Sequence, residues 1–316
     1  MLITVIIPVY NAACYLEQSI KSVLIQPEVA EILLVEDGST DDSLALCNRY
    51  AEEYDSVCVL QHPNGINKGA AASRNLGILN AKHEMIAFLD ADDYYAANRF
   101  AFASSILESD PTVDGVYEVI GMHYENETAR LEWQERHPES YESGIFTAIE
   151  RTPSDELFEK YLHRGHLFFS GNALTIRKSA LLRVGMYSET RVQEDIILCY
   201  KLASKCKLVA GNLETPSSFY RIHGENSSSY VGKPYEAERR DMIVWRTLWE
   251  WSIEHLDTYS QRAFMQRYVR AFLNRYKHEI WLRRNTLRIA DCLDILFHHP
   301  HLILHKYFRQ TIYRRH

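Results

Sequence analysis

The segment EMIAFLDADDYY, residues 84–95, joins an apolar run to a cluster of acids. The run MIAFL has the composition of a strand buried on both faces, and Asp90, Asp92 and Asp93 follow it directly. Like charges this close repel one another, and burying them without partners is costly. The pattern therefore predicts a positive group at this strand end, and a divalent cation held by carboxylate oxygens is the expected one.

Three more apolar runs precede this segment: LITVIIPVYN, AEILLVEDGS and VCVLQH. The stretches between the runs have the apolar spacing of helices. Strands that alternate with helices predict an α/β fold, here a Rossmann-like and mostly parallel sheet with helices on both faces. Ligands bind at the carboxyl ends of the strands in such sheets. Tyr10, Asp37 and Asp90 fall at those ends, so a binding site is expected there.

The middle of the chain has a less regular pattern. GVYEVIGMHYENE and RLEWQE have the composition of a hairpin, and a helix is expected to begin at Ser154. A strand and a helix follow and stop at Gly185, and the first turn of another helix holds Glu194 and Asp195. From Asp241 onward the pattern is helical.

The C-terminal region differs in charge from the rest of the chain. The net charge is −7, yet residues 262–316 alone hold 12 Lys/Arg and 3 Asp/Glu. An interruption by Gly-Lys-Pro predicts a boundary between an α/β domain, residues 1–231, and a helical basic region, residues 232–316. We expect the basic region to be drawn to anionic surfaces. Nucleic acid is not an expected partner, because no recognised nucleic-acid motif is present.

Two stripes of side chains run along the helical pattern that begins at residue 262. The aromatic stripe is typical of core packing, whereas the basic stripe with its tryptophan also fits a helix lying on an anionic membrane surface. The aromatic stripe consists of Phe264, Tyr268, Phe272, Tyr276 and Ile280, and the basic stripe of Arg267, Arg270, Asn274, Lys277, Trp281 and Arg284.

The expected location is cytoplasmic, with peripheral association at the inner face of the cell membrane. No apolar run approaches the roughly 20 residues that a membrane-spanning helix needs. Residues 1–9 are short and lack a basic flank, so they are typical of a first strand and not of a signal peptide. The six cysteines are scattered without metal-type spacing, which favours reduced thiols.

The motifs IPVYNAACYLEQSIKSVL, LLVEDGSTDDS, NKGAAASRNLGI and FLDADD, in this order, resemble the family 2 glycosyltransferases. QEDIILCYKL and YRIHGENSSS resemble the acid pair and the C-terminal His/Ser segment of the same family. The resemblance covers residues 3–230. It implies the GT-A fold and an inverting transferase of the bacterial surface-polysaccharide type. Such an enzyme moves a sugar from a nucleotide-diphosphate donor, here expected to be a UDP-sugar, to a hydroxyl of a glycan or lipid-linked acceptor.

The resemblance also implies roles for residues on the donor side. Asp92 would hold Mn²⁺ or Mg²⁺, and Asp90 would lie near the ribose. Asp37 would bind the nucleotide base, Tyr10 would pack against that base, and Pro8 would line the same donor site. Each also has a plain structural alternative: an N-cap for Asp37, a core position for Tyr10, and turn or capping acids after the strand.

Two cations and a histidine in these motifs are further candidates for the site. Lys68 and Arg74 fall near the donor, where a guanidinium can bridge a base or a phosphate, although a solvated helix face would also explain Lys68. By resemblance, His223 either completes the metal site or contacts the diphosphate, with Ser227 or Ser229 nearby.

The acid pair is the candidate for catalysis. Inverting transfer needs a carboxylate that takes the proton of the attacking hydroxyl. The resemblance assigns this role to Asp195 and the orientation of the acceptor to Glu194. A helix N-terminus that favours acids is the structural alternative. Two other functions fit part of the pattern: a sugar nucleotidyltransferase, which gives the acid pair no role, and a non-catalytic scaffold that binds nucleotide sugars.

Overall fold

Strand β1 (Ile3–Val9) lies in the middle of a parallel sheet because its apolar side chains can be buried on both faces. In the computed structural model, β1 pairs in parallel with β2 (Val29–Glu36) and β4 (Met85–Phe88), and β2 pairs in parallel with β3 (Val57–Gln61). The four predicted strands are confirmed. The structure describes residues 1–136, 144–145, 147, 150–164, 169–190, 192–224 and 234–282.

The predicted helices connect these strands. They are α1 (Ala13–Leu24), α2 (Ser43–Glu53) and α3 (Ala70–Asn80). Helix α3 approaches β1 closely through Gly77, because a Cβ atom there would lie 2.4 Å from Cγ2 of Ile6. Helices cover both faces of the sheet, so the predicted fold class is confirmed.

Three later strands complete a seven-stranded sheet of order β3-β2-β1-β4-β8-β6-β9. Strand β8 (Leu174–Arg177) is antiparallel to β4 and to β6 (Gly115–Tyr117), and β9 (Leu208–Ala210) is parallel to β6. The sheet is therefore mostly parallel, as predicted. Its main apolar cluster packs the side chains of β1 and β2 against α1 and α4 (Ala101–Ser109).

A small second sheet stands beside the first. It consists of β5 (Tyr94–Tyr95), β10 (Ser218–Ile222) and β7 (Ile120–Tyr124). The predicted hairpin is wrong, because β6 and β7 belong to different sheets and RLEWQE lies in helix α5 (Glu127–Arg136). The physical reason is helical spacing: Ala129 and Trp133 lie four residues apart and are both buried against Ile222.

The remaining helices agree with the sequence. Helix α6 (Ser154–Arg164) begins at the predicted serine, α7 (Lys178–Arg183) ends just before Gly185, and α8 (Glu194–Lys205) holds the acid pair in its first turn. The chain divides into two compact units, Met1–Tyr230 and Val231–His316. Ser227, Ser229 and the predicted boundary at residues 231–232 lie outside the described residues.

The second unit contains α9 (Pro234–His255) and α10 (Thr258–Leu282), so the predicted helicity is confirmed up to residue 282. Phe264 and Tyr268 of the aromatic stripe are buried. Tyr268 stacks on Trp249, and Arg267 of the basic stripe lies over the ring of Trp245. The side chains of the stripes from residue 272 onward lie outside the described set. In the part of the chain that the structure describes, no helix has the length and apolarity needed to cross a bilayer.

Replacing Gly77 with Ala tests the close approach of α3 to β1. Helix propensity alone favours alanine over glycine by up to ~1 kcal/mol, whereas overpacking a core costs about 1–3 kcal/mol. Ile6 is fully buried and has little room to shift. We expect Gly77→Ala to lower the free energy of unfolding measured with urea. A rise would show that propensity outweighs the contact.

Candidate active site

A cavity of about 480 Å³ lies at the carboxyl ends of the central strands. It brings together nine of the ten predicted site residues: Pro8, Tyr10, Asp37, Arg74, Asp90, Asp92, Glu194, Asp195 and His223. Lys68 does not line it and is exposed. A larger groove of about 850 Å³ lies between α6 and β9, but none of the predicted residues lines it. The smaller cavity is therefore the candidate site.

Asp37 anchors the loop in front of α3. Its two carboxylate oxygens accept hydrogen bonds from the backbone N–H groups of Lys68 (2.7 Å) and Gly69 (2.8 Å), and the His62 ring lies 3.6 Å away. The carboxylate is buried. Asp37 is not the N-cap of α2, which begins six residues later at Ser43. The capping alternative for Asp37 is therefore wrong, and its carboxylate is held in place at the cavity wall.

Tyr10 follows β1 and stands at the mouth of the cavity, with 51% of its surface exposed. The core alternative for this ring is therefore wrong. An exposed aromatic face next to a buried carboxylate can stack on a flat heterocycle. Pro8, two residues earlier in β1, contributes to the same wall.

The acids that follow β4 receive their positive partners from the chain itself. Nη2 of Arg74 donates to Asp90 at 2.6 Å. Asp93 is fully buried and accepts hydrogen bonds from the backbone N–H of Arg221 (2.8 Å) and from the Asn172 amide. Asp93 caps no helix among the described residues, so that alternative is wrong. Burial, with the charges of Asp92 and Asp90, raises the pKa of Asp93 well above its usual range.

Asp90 and Asp92 both line the cavity with partly exposed side chains, but Asp90 is paired with Arg74, whereas Asp92 faces an imidazole. The side chain of Asp92 is 31% exposed, and its Oδ2 lies 3.2 Å from Nε2 of the buried His223. The ring of Tyr15 packs on the imidazole at 4.6 Å. Among the described residues no group of three or more His, Cys, Asp or Glu side chains could hold a metal ion. A carboxylate and an imidazole nevertheless fit Mg²⁺ or Mn²⁺ when a diphosphate supplies further oxygens.

Arg74 of α3 connects the acid that follows β4 with the acid pair of α8. Besides Asp90, its guanidinium contacts Glu194 at 3.2 Å and Asp195 at 3.5 Å, and it lies over the Tyr187 ring at 5.2 Å. Burial alone would lower the pKa of Arg74, but the surrounding negative groups hold it well above the usual value. The guanidinium is thus engaged by carboxylates. A contact from Arg74 to a donor stays a prediction.

Asp195 lines the cavity from the first turn of α8. Burial raises its pKa to about 6; Arg74 opposes this change, while Glu194 and Asp90 add repulsion. The side chain keeps 39% of its surface exposed, so the carboxylate is recessed between protein charges yet reachable from the cavity. A carboxylate that titrates near pH 6 is suited to accepting a proton close to neutral pH.

Three residues of this arrangement are not predicted as site residues from the sequence. Asn172 links Asp90 to Asp93, Arg221 binds Asp93, and Tyr187 supports Arg74. Arg221 also donates from Nε to the Asp92 carbonyl oxygen at 2.8 Å. Arg221 occurs within the quoted segment YRIHGENSSS, but no local pattern marks an arginine or an asparagine as the partner of an acid about 80 to 130 residues away.

Comparison with known proteins identifies the family to which the chain is similar. Residues 4–183 match the family described as glycosyl transferase family 2. An uncharacterized glycosyltransferase of Rickettsia conorii is 35% identical over 228 residues, which are 70% of this chain and 33% of that protein. The chain therefore spans about a third of the length of this relative.

Solved structures share the fold at low identity. Staphylococcus aureus TarS 1–349 in complex with UDP-GlcNAc matches with a TM-score of 0.61 and 17% identity, covering 91% of this chain and 77% of that one. The mannosyltransferase PcManGT of Pyrobaculum calidifontis, in complex with GDP-Man and Mn²⁺, matches with a TM-score of 0.54 and 16% identity, covering 98% and 82%. Both comparisons support the GT-A type of α/β fold.

Replacing Arg74 with Met tests the central role of this guanidinium. The variant leaves Asp90, Glu194 and Asp195 without the cation that they share. Because these carboxylates are partly exposed, we expect a loss of about 2–3 kcal/mol in urea unfolding at pH 7.5, between the values for surface and buried ion pairs. Arg49→Met is the matched control, because Arg49 is an exposed partner of Glu17 at 3.7 Å and should lose less than ~1 kcal/mol. Equal losses in the two variants would contradict this view.

Proposed function

The chain belongs to glycosyl transferase family 2, and we propose that it is an inverting enzyme that transfers a sugar from a nucleotide-diphosphate donor to an acceptor hydroxyl. The observation that carries this proposal is the division of one cavity between two kinds of acid. Asp92 pairs with His223, Asp195 contacts Arg74, and both carboxylates line the same cavity.

The donor is a nucleotide sugar, and a UDP-sugar is the proposed class. The exposed ring of Tyr10 would stack on the base, and Asp37 would accept a hydrogen bond from it. Pro8 would line the base pocket, and Asp90 would face the ribose. Similarity to TarS, which was solved with UDP-GlcNAc, supports this class. Lys68 is exposed beside the site and would contact the donor only from the rim.

A divalent cation, Mn²⁺ or Mg²⁺, is the proposed cofactor, and Asp92 with His223 would hold it. When bound, the ion offsets negative charge on the departing diphosphate. The neighbouring residues keep these ligands in place: Arg221 fixes the backbone at Asp92, and the Tyr15 ring packs on the His223 imidazole. The Mn²⁺ in the PcManGT complex supports this choice of cofactor.

Asp195 is the proposed general base. Its carboxylate would take the proton of the acceptor hydroxyl while that oxygen bonds to the anomeric carbon and the bond to the diphosphate breaks on the opposite face. The pKa of about 6 keeps the group ionised at neutral pH and still basic enough to accept a proton. Glu194, beside it on α8, would orient the acceptor.

The acceptor is proposed to be a glycan or lipid-linked oligosaccharide at the inner face of the cell membrane. The family membership and the basic C-terminal region support this proposal. In that region Arg270 is exposed, whereas Arg267 lies against Trp245. Anionic lipid attracts basic residues near its surface with about 1 kcal/mol each, so a peripheral membrane contact would bring the enzyme to such an acceptor.

Two other functions can be distinguished from this one by the product, if any, that each releases. A sugar nucleotidyltransferase releases pyrophosphate and leaves Asp195 and Glu194 without a role. A non-catalytic scaffold binds donor without turnover. Incubating the protein with a panel of nucleotide sugars, with and without lipid-linked acceptors, distinguishes the three, because only the transferase releases the nucleoside diphosphate in an acceptor-dependent way.

Asp92→Ala should abolish the Mn²⁺-dependent part of UDP binding, because His223 alone offers one ligand. Titration calorimetry with UDP, with and without Mn²⁺, measures this effect. Asp55→Ala is the matched control: it removes an exposed acid after α2 and should bind like the wild type. Unchanged Mn²⁺-dependent affinity in Asp92→Ala would overturn the metal assignment.

Asp195→Asn should slow transfer by a large factor while leaving donor binding intact. Asparagine keeps the size of the side chain but cannot accept the proton, and a positioned general base contributes about 10²–10⁴-fold to the rate. The measurement is a transfer assay combined with UDP titration on the same preparation. Full activity would move the base to another residue, with Glu194 the next candidate, and lost UDP binding would make Asp195 part of the donor site.

A further inference from the structure

Tyr187 lies in the connection between α7 and α8, and it is held rigidly beneath the candidate site. The side-chain amide of Asn75 binds both its backbone groups, accepting from the N–H at 3.0 Å and donating to the carbonyl at 2.9 Å. The ring packs edge-on against Phe88 with centroids 5.5 Å apart, and the Arg74 guanidinium covers it. The side chain is buried, so its hydroxyl occupies a fixed place.

That hydroxyl is buried and makes no hydrogen bond to any residue that the structure describes. A buried donor without an acceptor carries a desolvation cost. Because the ring and the backbone already fix this phenol, we expect its hydroxyl to have a specific hydrogen-bond acceptor.

Gly171 shows what the hydroxyl faces. A Cβ atom at Gly171 would lie 3.4 Å from the Tyr187 hydroxyl oxygen and 3.8 Å from Oδ1 of Asp195. Both atoms therefore border the same small space, which the glycine leaves open. Oδ1 is also the oxygen of Asp195 that approaches Arg74, at 3.5 Å.

We propose that the Tyr187 hydroxyl donates a hydrogen bond to Oδ1 of Asp195 and acts as a positioning residue for this base. Oδ1 is then held by Tyr187 and Arg74, and Oδ2 is the oxygen that takes the proton of the acceptor. The partly exposed Asp195 side chain closes the contact by a small rotation about its side-chain bonds. The inference rests on the proposed function and adds to it a residue that contacts neither donor nor acceptor.

The pKa of Asp195 depends on the charged and titratable groups around it. Arg74 of α3 favours the ionised carboxylate, whereas Asp90 after β4 and Glu194 of α8 disfavour it, and the Cys199 thiol lies on the same helix. The proposed hydrogen bond from Tyr187 would also favour the ionised form and lower the pKa of Asp195. Burial raises the pKa of Tyr187 itself, so the phenol keeps its proton.

Tyr187→Phe is the direct test, because it removes the hydroxyl and keeps the ring beneath Arg74. The base must be ionised to act, so a higher pKa of Asp195 moves the acidic limb of the pH profile of kcat/KM to higher pH. We expect an upward shift of about 1–2 units, the size of one lost hydrogen bond to a carboxylate. The same shift should appear in the carboxyl ¹³C titration of Asp195, assigned with Asp195→Asn.

Tyr117→Phe is the matched control. Tyr117 is also buried, and its hydroxyl also makes no hydrogen bond to the described residues, but it lies in β6 beside Phe169. This variant should leave both titrations unchanged.

Equal titrations in Tyr187→Phe and the wild type would overturn the inference, as would equal shifts in both tyrosine variants. The carboxyl titration does not depend on turnover. If the wild type transfers no sugar, the proposed function fails while the contact between Tyr187 and Asp195 is still decided.

Discussion

The buried guanidinium of Arg74 is the interaction on which the rest of the site depends. It joins α3 to the acid that follows β4 and to the acid pair that begins α8. A buried arginine is tolerated only when carboxylates compensate its charge, and three carboxylates that converge are tolerated only when a cation separates them. The arginine and the carboxylates therefore stabilise one another. Their contacts hold α3, the end of β4 and the start of α8 together at one end of the sheet.

Because buried charges must be compensated, the three acids after β4 have different environments. Asp90 is neutralised by Arg74, and Asp93 is buried among hydrogen bonds from Arg221 and Asn172. Asp92 is left beside His223 at the cavity wall. The proposed metal ion is therefore expected at one acid and not at all three. This division explains how three adjacent carboxylates coexist.

The parts of the fold that depend on local composition could be predicted from the sequence. Runs such as ITVIIPV form buried strands, and parallel strands bring their carboxyl ends together, so Tyr10, Asp37 and Asp90 could be placed at one site. Contacts over long separations could not be predicted. Asn172 pairs with an acid about 80 residues earlier, and the stretch around Trp133 forms a helix because it packs against β10. Short polar segments carry no local signal for such partners.

The central proposal is that Asp92, and neither Asp90 nor Asp93, holds a metal ion, because Asp90 is paired with Arg74 and Asp93 is fully buried. The most direct measurement is the anomalous scattering of Mn²⁺ in crystals of the protein grown with UDP and MnCl₂. The account predicts one strong peak within bonding distance of the Asp92 carboxylate and the His223 imidazole, with diphosphate oxygens completing the sphere and Arg74 still paired with Asp90. A peak on Asp90 or Asp93, with Arg74 displaced from its carboxylates, would contradict it.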